Sequence, residues 1–259
     1  PILIRNSESR LLTVEIQCSE DNVQLKEITF DLSGSDDIAD LDFIKMEIQG
    51  SSVDFAGPLV TRPQEVFTFK DLVLAKGTTT IWLTCGLKPT ANLLHKVDAA
   101  CSRVITSAGE ARITDSTPGV RKRIGVALRQ HMDDGVHTYR IPALTATRKG
   151  TLLAVYDMRR RTGRDLQEDI DIGLSRSTDG GQTWAPPQVI MDMGEYGGLP
   201  QEQNGCSDPG ILVDFKTGKI FCAAVWMWGK PGKHQWSEDG SEVGFEIGKA
   251  AQFLMVEST

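Results

Sequence analysis

Long hydrophobic runs, an excess of basic charge and paired cysteine motifs are all absent from this 259-residue sequence. No continuous apolar stretch approaches the ~20 residues that span a bilayer, so membrane insertion is not expected. The formal net charge is -7, which is the wrong sign for binding nucleic-acid phosphates. The five cysteines form no C-x-x-C pair and have no histidine at metal-ligand spacing. We therefore expect no nucleic-acid partner, no metal and no organic cofactor, while the cysteines fit either two disulfides or five thiols.

Short alternating strands separated by turn residues account for the first hundred residues. Within 23–32 the apolar positions recur mostly at every second residue, which is typical of a half-buried sheet. Turn-rich clusters at 33–37, 50–52 and 76–77 have the spacing of an antiparallel sandwich. A short helical turn is expected only within 91–100. The predicted strands are 11–18, 24–32, 41–48, 65–74, 78–86 and 98–106.

Longer apolar strands follow residue 138. Glycine turns at 149–150 and 216–219 separate two pairs of these strands as hairpins. Residues 172–178 are similar to 253–259 in strand character and in a closing Ser-Thr, which indicates a β repeat of long period. We expect consecutive four-stranded meanders. The predicted strands are 139–146, 151–157, 170–177, 210–213, 220–226 and 250–257.

A turn signal at 115–119 interrupts the pattern between these two halves, and it is followed by mixed basic and acidic residues. A long loop within one domain is the alternative interpretation. We predict an N-terminal domain over 1–115, a linker over 116–136 and a second domain over 137–259.

Residues 177–184 read Ser-Thr-Asp-Gly-Gly-Gln-Thr-Trp and fit the pattern Ser-x-Asp-x-Gly-x-Thr-Trp at every fixed position. This resembles an Asp-box. A short aspartate can accept hydrogen bonds from turn amides, glycine permits a left-handed backbone, and the Trp184 ring can be buried under the turn. The motif is expected to stabilise a hairpin and to lie away from any site.

An arginine lies on an otherwise apolar strand in the segment Tyr139-Arg140-Ile141-Pro142. Its planar guanidinium matches a carboxylate in a bidentate manner. Taken alone, the pattern favours a structural salt bridge over a ligand clamp. Together with the segment that ends in Arg159 and the motif at 177–184, it favours the clamp.

This order of motifs strongly resembles the exo-α-sialidase (neuraminidase) family, and the resemblance covers about residues 137–259. It implies an all-β fold, with an N-terminal β-sandwich followed by the first blades of a six-bladed β-propeller. The first domain is similar to the sandwich that precedes the propeller in some bacterial members, and whether it binds carbohydrate stays open. The implied function is hydrolysis of terminal sialic acid from glycoconjugates with retention.

The resemblance also implies roles for individual residues. Arg140 matches one of three arginines that grip the sialic acid carboxylate, and Arg159 matches an arginine near the sugar 4-hydroxyl. Asp165 matches the acid/base of a flexible loop, where burial by the bound sugar would keep its carboxyl partly protonated. Arg160 and Arg161 could exchange roles with Arg159 by a slip in register. The acidic residues that compete with Asp165 are Glu168, Asp169 and Asp171.

Two further residues are implied to face the sugar. Asp208 matches an aspartate near the same 4-hydroxyl, and Trp226 is assigned to the wall of the N-acetyl pocket, with Trp228 as the neighbouring candidate. Tryptophans in such a strand are more often part of the core than a ligand platform.

The family mechanism uses a tyrosine nucleophile activated by a glutamate, which suits an anionic sugar because a carboxylate nucleophile would be repelled. Those two residues and two arginines belong to later blades. We therefore expect this chain to be the N-terminal part of the protein and inactive alone, with the remaining blades on the same parent chain or on a companion chain.

Sialylated glycans are the expected partners. Secreted or periplasmic residence is expected from the resemblance and from Pro1 in place of an initiator methionine. The alternative function is a non-catalytic sialoglycan-binding protein, which would have no need of Asp165 beside Arg140 and Arg159. A different propeller with a protein partner is disfavoured by the Arg-Ile-Pro strand.

Overall fold

The computed structural model describes residues 1–49, 59–165, 168–229 and 252–258. The chain divides into two compact units, Pro1–Ala127 and Leu128–Thr259. Regular structure in the described residues consists of β-strands and three short 3-10 helices. The all-β prediction is confirmed. In the same part of the chain, no helix is long and apolar enough to cross a membrane.

Two four-stranded antiparallel sheets and one smaller sheet make up the first unit, as far as its residues are described. The strands are β1 (Ile2–Ile4), β2 (Ser9–Cys18), β3 (Val23–Asp31), β4 (Leu41–Gln49), β5 (Leu59–Thr61), β6 (Val66–Leu74), β7 (Gly77–Leu87), β8 (Lys96–Val97), β9 (Ala100–Thr106), β10 (Gly109–Glu110) and β11 (Lys122–Val126). The four-stranded sheets have the orders β2-β7-β4-β5 and β10-β9-β3-β6. The small sheet has the order β1-β11-β8, in which β1 and β11 run parallel.

One hydrophobic core serves both four-stranded sheets of the first unit. Alternate residues of β4 and β7 are fully buried, as the period of two requires for strands with one core-facing side. Phe30 of β3 and Phe67 and Phe69 of β6 form an aromatic cluster with ring centroids 5.7 to 6.2 Å apart. Such tilted and edge-on pairs add stabilisation beyond the area that they bury.

The helical turn expected within 91–100 is wrong. Lys96 and Val97 form β8, and Ala100 begins β9. The residues before β8 turn because the buried Asp40 carboxylate accepts a hydrogen bond from the Asn92 backbone N–H at 2.9 Å and contacts His95 Nδ1 at 2.7 Å. These local polar bonds compete with a helix for the backbone groups.

The division between the units falls within the stretch that the sequence suggests as a linker, 116–136. Part of that stretch, β11, pairs with β1 and β8 and therefore belongs to the first unit. Ile124 is buried in the core of that unit. The first unit thus extends beyond residue 115.

The described residues of the second unit form a single sheet of seven strands. The strands are β12 (Thr138–Ala146), β13 (Leu152–Arg159), β14 (Ile170–Ser177), β15 (Gln188–Met191), β16 (Asn204–Val213), β17 (Ile220–Trp228) and β18 (Gln252–Ser258). Their order is β12-β13-β14-β16-β17-β18, and β15 also pairs with β14. The expected strand over 250–257 is β18, and residues 250–251 lie outside the described residues.

Two antiparallel groups of strands meet where β14 and β16 run parallel, at Ile170 and Gly205. A Cβ on Gly205 would lie 3.0 Å from the Glu168 carbonyl oxygen, so glycine allows a close approach that a larger residue would reach only by shifting the backbone. Strand β13, next to the edge strand β12, is buried along nearly its whole length. Val155 and Ile172 pack there against Cys206 and Cys222, which are free thiols.

The turn at 177–184 is held by its own side chains. Asp179 accepts hydrogen bonds from the Thr183 N–H at 3.0 Å and from the Ser177 hydroxyl at 2.8 Å. The Trp184 indole donates to the Gly181 carbonyl oxygen at 2.9 Å, and Gly181 has a φ of +95°. Hydrogen bonds from Thr183 lower the pKa of Asp179 to about 2. The segment therefore stabilises the connection after β14, as expected from its sequence.

Candidate functional site

Two neighbouring strands, β12 and β13, carry the two arginines of the candidate site. Arg140 lies opposite Asp157 in the antiparallel register, and Arg159 lies opposite Thr138. The register shifts after Arg140, and Ile141 has a φ of +51°, which is a strained conformation for a β-branched residue. The Arg140 side chain is 47% exposed, whereas that of Arg159 is 1% exposed.

Asp165 joins these arginines from the loop that follows β13. Arg159 Nη1 is 2.5 Å from Asp165 Oδ1, and Arg140 Nη1 is 3.4 Å from the same oxygen. Both Nη1 groups also donate to the Gly163 carbonyl oxygen, at 2.9 Å from Arg159 and 3.5 Å from Arg140. The structure therefore brings Arg140, Arg159 and Asp165 together, with the half-exposed carboxylate of Asp165 between two cations.

A fully buried carboxylate, Asp157, lies behind this group. It accepts hydrogen bonds from Arg159 Nη2 at 2.8 Å and Nε at 3.1 Å, from the Ser207 hydroxyl at 2.7 Å and from the Asp208 backbone N–H at 3.1 Å. Burial raises the pKa of Asp157, and the bonds from Ser207 and Arg159 oppose that rise. Asp157 thus links Arg159 to the segment that carries Asp208.

Asp208 lies at an irregularity in β16. The pairing with β17 shifts between Ser207 and Gly210, and Asp208 has a φ of +59°. Its side chain is exposed, while the buried Ser207 points to Asp157. A bulge of this kind redirects side chains, here placing an exposed carboxylate next to a buried network.

Trp226 occupies a different environment from the charged residues. It is 3% exposed, and its indole N–H donates to Asn204 Oδ1 at 3.1 Å. Its ring packs edge-on against that of Tyr196 with centroids 5.3 Å apart. These contacts place Trp226 in the interior of the sheet, and its assignment to a pocket wall stays a prediction.

The other charged candidates have separate partners. Arg160 Nε donates to Asp171 Oδ2 at 2.8 Å, and Arg161 Nη2 is 3.5 Å from Glu202. Of these adjacent arginines, Arg159 is the one with a hydrogen bond to Asp165. Burial raises the pKa of Asp171 to about 6.

Asp169, Asp171 and Asp192 are the described residues that could hold a metal ion. Each offers a carboxylate oxygen, and these oxygens lie within 4.8 Å of one another. Within the same group, Arg160 already supplies a cation to Asp171, and the Gln201 amide donates to Asp169 at 3.2 Å.

Asp157 and Ser207 are the polar residues of this region to which the sequence gives no role. The signal for Asp157 is its spacing of two from Arg159, which puts both side chains on one face of a strand. An acidic and a basic residue on one face of a buried strand are expected to pair, because neither can be buried alone. Ser207 has no comparable signal.

Comparisons with known proteins identify the relatives of this chain. A scan against models of protein families gives no match. A sialidase of Bacteroides fragilis (strain YCH46) is 41% identical over 203 residues, which are 77% of this chain and 37% of that protein. A sialidase of Micromonospora viridifaciens is 48% identical over 88 residues, which are 34% of this chain and 13% of that protein.

A solved structure agrees with these sequence relatives. The Hadza microbial sialidase Hz136 superposes with a TM-score of 0.82 at 28% identity, over 100% of this chain and 55% of that one. The chain therefore spans about a third to a half of the length of the relatives that it matches over most of its residues. By sequence and by fold, the chain belongs to the sialidase family of glycoside hydrolases.

Proposed function

We propose that the full-length protein that carries this chain is an exo-α-sialidase, which hydrolyses terminal sialic acid from glycoconjugates with retention. The observation that supports this most directly is the convergence of Arg140, Arg159 and Asp165 at the ends of β12 and β13. Relatives named sialidase, at up to 41% identity over most of the chain, give independent support.

Arg140 is proposed to bind the substrate carboxylate. Its guanidinium is half exposed, whereas the nitrogens of Arg159 are already bonded to Asp157 and Asp165, so Arg140 is the cation with a fork open to both oxygens of an incoming carboxylate. In the structure it contacts Asp165 Oδ1 at 3.4 Å, a long hydrogen bond. A substrate carboxylate offers two oxygens to the planar fork and would replace this weaker contact.

Asp165 is proposed to be the acid/base. Once the substrate takes over Arg140, the carboxyl of Asp165 loses part of its positive surroundings and is covered by the sugar. Both changes favour its protonated form, which the departure of the leaving oxygen requires. The proton then goes to the glycosidic oxygen, and the resulting carboxylate can activate the water that completes hydrolysis.

Asp208 and Arg159 are proposed to contact the sugar near its 4-hydroxyl, and Trp226 to limit the N-acetyl pocket. The nucleophilic tyrosine is proposed to lie outside residues 1–259. The three tyrosines of this chain support that placement: the Tyr139 hydroxyl donates to the Asp133 carbonyl oxygen, that of Tyr156 bonds to Ser175, and Tyr196 packs on Trp226. Burial raises the pKa of Tyr139, which makes it a poorer nucleophile.

The proposal includes the rest of the molecule. We place the remaining propeller blades on the parent chain or a companion chain, and we expect residues 1–259 alone to be inactive. Sialylated glycans are the proposed partners, and the proposed location is secreted or periplasmic. The turn at 177–184 is proposed to be the Asp-box of a propeller blade.

The test is release of 4-methylumbelliferone from its α-sialoside by the full-length protein, with residues 1–259 assayed in parallel. Arg140→Ala and Asp165→Ala should each reduce kcat/KM by at least about 100-fold, as expected for loss of a clamp or a general acid. Arg148→Ala is the matched control, because Arg148 is an exposed arginine bonded to the Phe215 carbonyl oxygen.

The outcomes test both the role of Asp165 and the choice between the two candidate functions. Activity that survives in Asp165→Ala contradicts the role of that residue as the acid. A full-length protein that binds sialosides and never cleaves them would be a sialoglycan-binding protein instead.

A further inference from the structure

Among the buried carboxylates of the described residues, Asp157 accepts the most hydrogen bonds. The side chain is fully buried, and a buried carboxylate must be satisfied by donors or it destabilises the fold. Four donors reach it: Oδ2 accepts from Arg159 Nε, Arg159 Nη2 and the Ser207 hydroxyl, and Oδ1 accepts from the Asp208 N–H. Both oxygens therefore accept hydrogen bonds, Oδ2 mainly from Arg159 of β13 and Oδ1 from Asp208 of β16.

The contacts to Arg159 fix the plane of its guanidinium. Nε and Nη2 bond to Asp157, while Nη1 on the opposite edge bonds to Asp165 and to the Gly163 carbonyl oxygen. A planar group that is bonded along two edges has no freedom to rotate. The direction in which Arg159 faces Asp165 is thus set by Asp157.

The contacts to the β16 segment fix the bulge at Asp208. The backbone there has a φ of +59°, which an aspartate adopts only where its surroundings compensate for the strain. The Asp208 N–H and the adjacent Ser207 hydroxyl both donate to Asp157, at 3.1 and 2.7 Å. Asp157 therefore fixes the position of the exposed Asp208 carboxylate as well as that of Arg159.

We propose that Asp157 is a positioning residue that holds Arg159 and Asp208 as one unit for recognition of the 4-hydroxyl side of the sugar. The inference rests on the proposed function, in which Arg159 and Asp208 contact the substrate there. Asp157 itself has no oxygen left for the substrate, because both accept hydrogen bonds from Arg159, Ser207 and Asp208. Its effect on the reaction passes through the two residues that it orients.

The variant Asp157→Asn tests this inference at nearly constant volume. Both oxygens of Asp157 face hydrogen-bond donors, whereas an asparagine amide has one oxygen and one NH2 group. In either orientation of the amide, its NH2 group would therefore face another donor. Displacement of the contact residues should lower kcat/KM for the α-sialoside by about 100-fold. This loss alone would not separate positioning from general damage to the fold.

The discriminating measurement is the ratio of kcat/KM for the α-sialoside to kcat/KM for its 4-deoxy analogue. The wild-type full-length protein should prefer the 4-hydroxyl compound, and Asp157→Asn should lose about tenfold or more of that preference. Ser175→Ala is the matched control, since Ser175 is also fully buried in this sheet but bonds to Tyr156 and Arg129. It should lower the melting temperature and keep the wild-type ratio.

If the melting curve shows that Asp157→Asn does not fold, Ser207→Ala takes its place. This variant removes one of the four donors and should reduce the ratio by about threefold, in line with one hydrogen bond. An unchanged ratio in the variant measured, or a wild-type protein with no preference between the two substrates, would overturn the inference. A wild-type protein that cleaves neither substrate would instead refute the proposed function.

Discussion

The buried pair of Arg159 and Asp157 gives the most quantitative prediction of stability. In Arg159→Met the aliphatic volume is largely kept, but the Asp157 carboxylate loses two of its four donors and its countercharge. Both side chains are at most 1% exposed, so water cannot replace the guanidinium. Removing one partner of a buried pair costs about 3–5 kcal/mol. The contact to the half-exposed Asp165 adds less than about 1 kcal/mol.

The assay is urea unfolding followed by tryptophan fluorescence. Of the five tryptophans, Trp82 belongs to the first unit, and Trp184, Trp226, Trp228 and Trp236 fall within the residue range of the second. The double variant Asp157→Asn,Arg159→Met should be at least as stable as Arg159→Met alone, because the uncompensated charge is gone. The two changes should therefore couple by at least about 1 kcal/mol. Additive costs, or a cost of Arg159→Met below about 1 kcal/mol, would refute this reasoning.

The pH dependence of stability independently tests whether Arg159→Met leaves a buried negative charge on Asp157. Burial raises the pKa of Asp157 above 3.8, and loss of the guanidinium removes a group that opposes the rise. A folded-state pKa above the unfolded value means that stability is present at low pH and lost as pH rises through the folded value. Arg159→Met should therefore be destabilised less at pH 4 than at pH 8, relative to wild type, and the opposite trend would contradict the assignment of the buried charge.

Three further predictions concern other parts of the chain. Hydrogen bonds from Thr183 lower the pKa of Asp179 to about 2. Its contribution to stability is therefore present above about pH 4 and lost as pH falls through 2. The melting temperatures of wild type and Asp179→Ala should converge toward pH 2. Burial raises the pKa of Asp171 to about 6. Its contribution to stability is therefore present below about pH 4 and lost as pH rises through 6. Asp171→Asn should flatten the dependence of stability on pH over this range, and an unchanged dependence would contradict the prediction. Phe30→Ala should cost about 3–5 kcal/mol in the first unit, because the ring is fully buried and packs against Phe67 and Phe69; a loss below about 1 kcal/mol in urea unfolding would contradict this.

Strands with one buried face could be predicted well from the sequence. The strand expected over 170–177, which is buried on both faces, is β14. Apolar alternation places β3 and β6 within one residue of the observed ends. Hydrophobic periodicity works there because one side chain in two must enter the core. The three-residue strand β1 has no such signal, since it pairs with β11 about 120 residues later in the chain.

Polar residues in buried strands were the main source of error. The expected strand over 210–213 begins at Asn204 in the structure, because Asn204 and Ser207 are buried with partners and a bulge accommodates Pro209. Similarly, β13 extends to Arg159, two residues beyond the expected end, because Asp157 satisfies the arginine. Polarity alone suggests a loop at both places, and only the pairing across strands reverses that interpretation.

Within the candidate site, the sequence predicts individual residues better than it predicts the contacts that connect them. Arg140, Arg159 and Asp165 could be chosen from motif and spacing, and their side chains are found in contact. The connection of Arg159 to Asp208 through Asp157 depends on two strands that are about 50 residues apart. Such a contact has no periodic signature in one sequence. The role of Trp226 stays a prediction.

The most direct test of the proposed reaction is proton NMR of the first product that the full-length protein forms from an α-sialoside. Retention through a covalent intermediate predicts that the α-anomer of free sialic acid appears first and then converts slowly to the β-anomer. A β-anomer formed first would contradict the retaining mechanism, an anhydro or transferred product would contradict hydrolysis, and absence of any product would contradict the central claim that this is a sialidase.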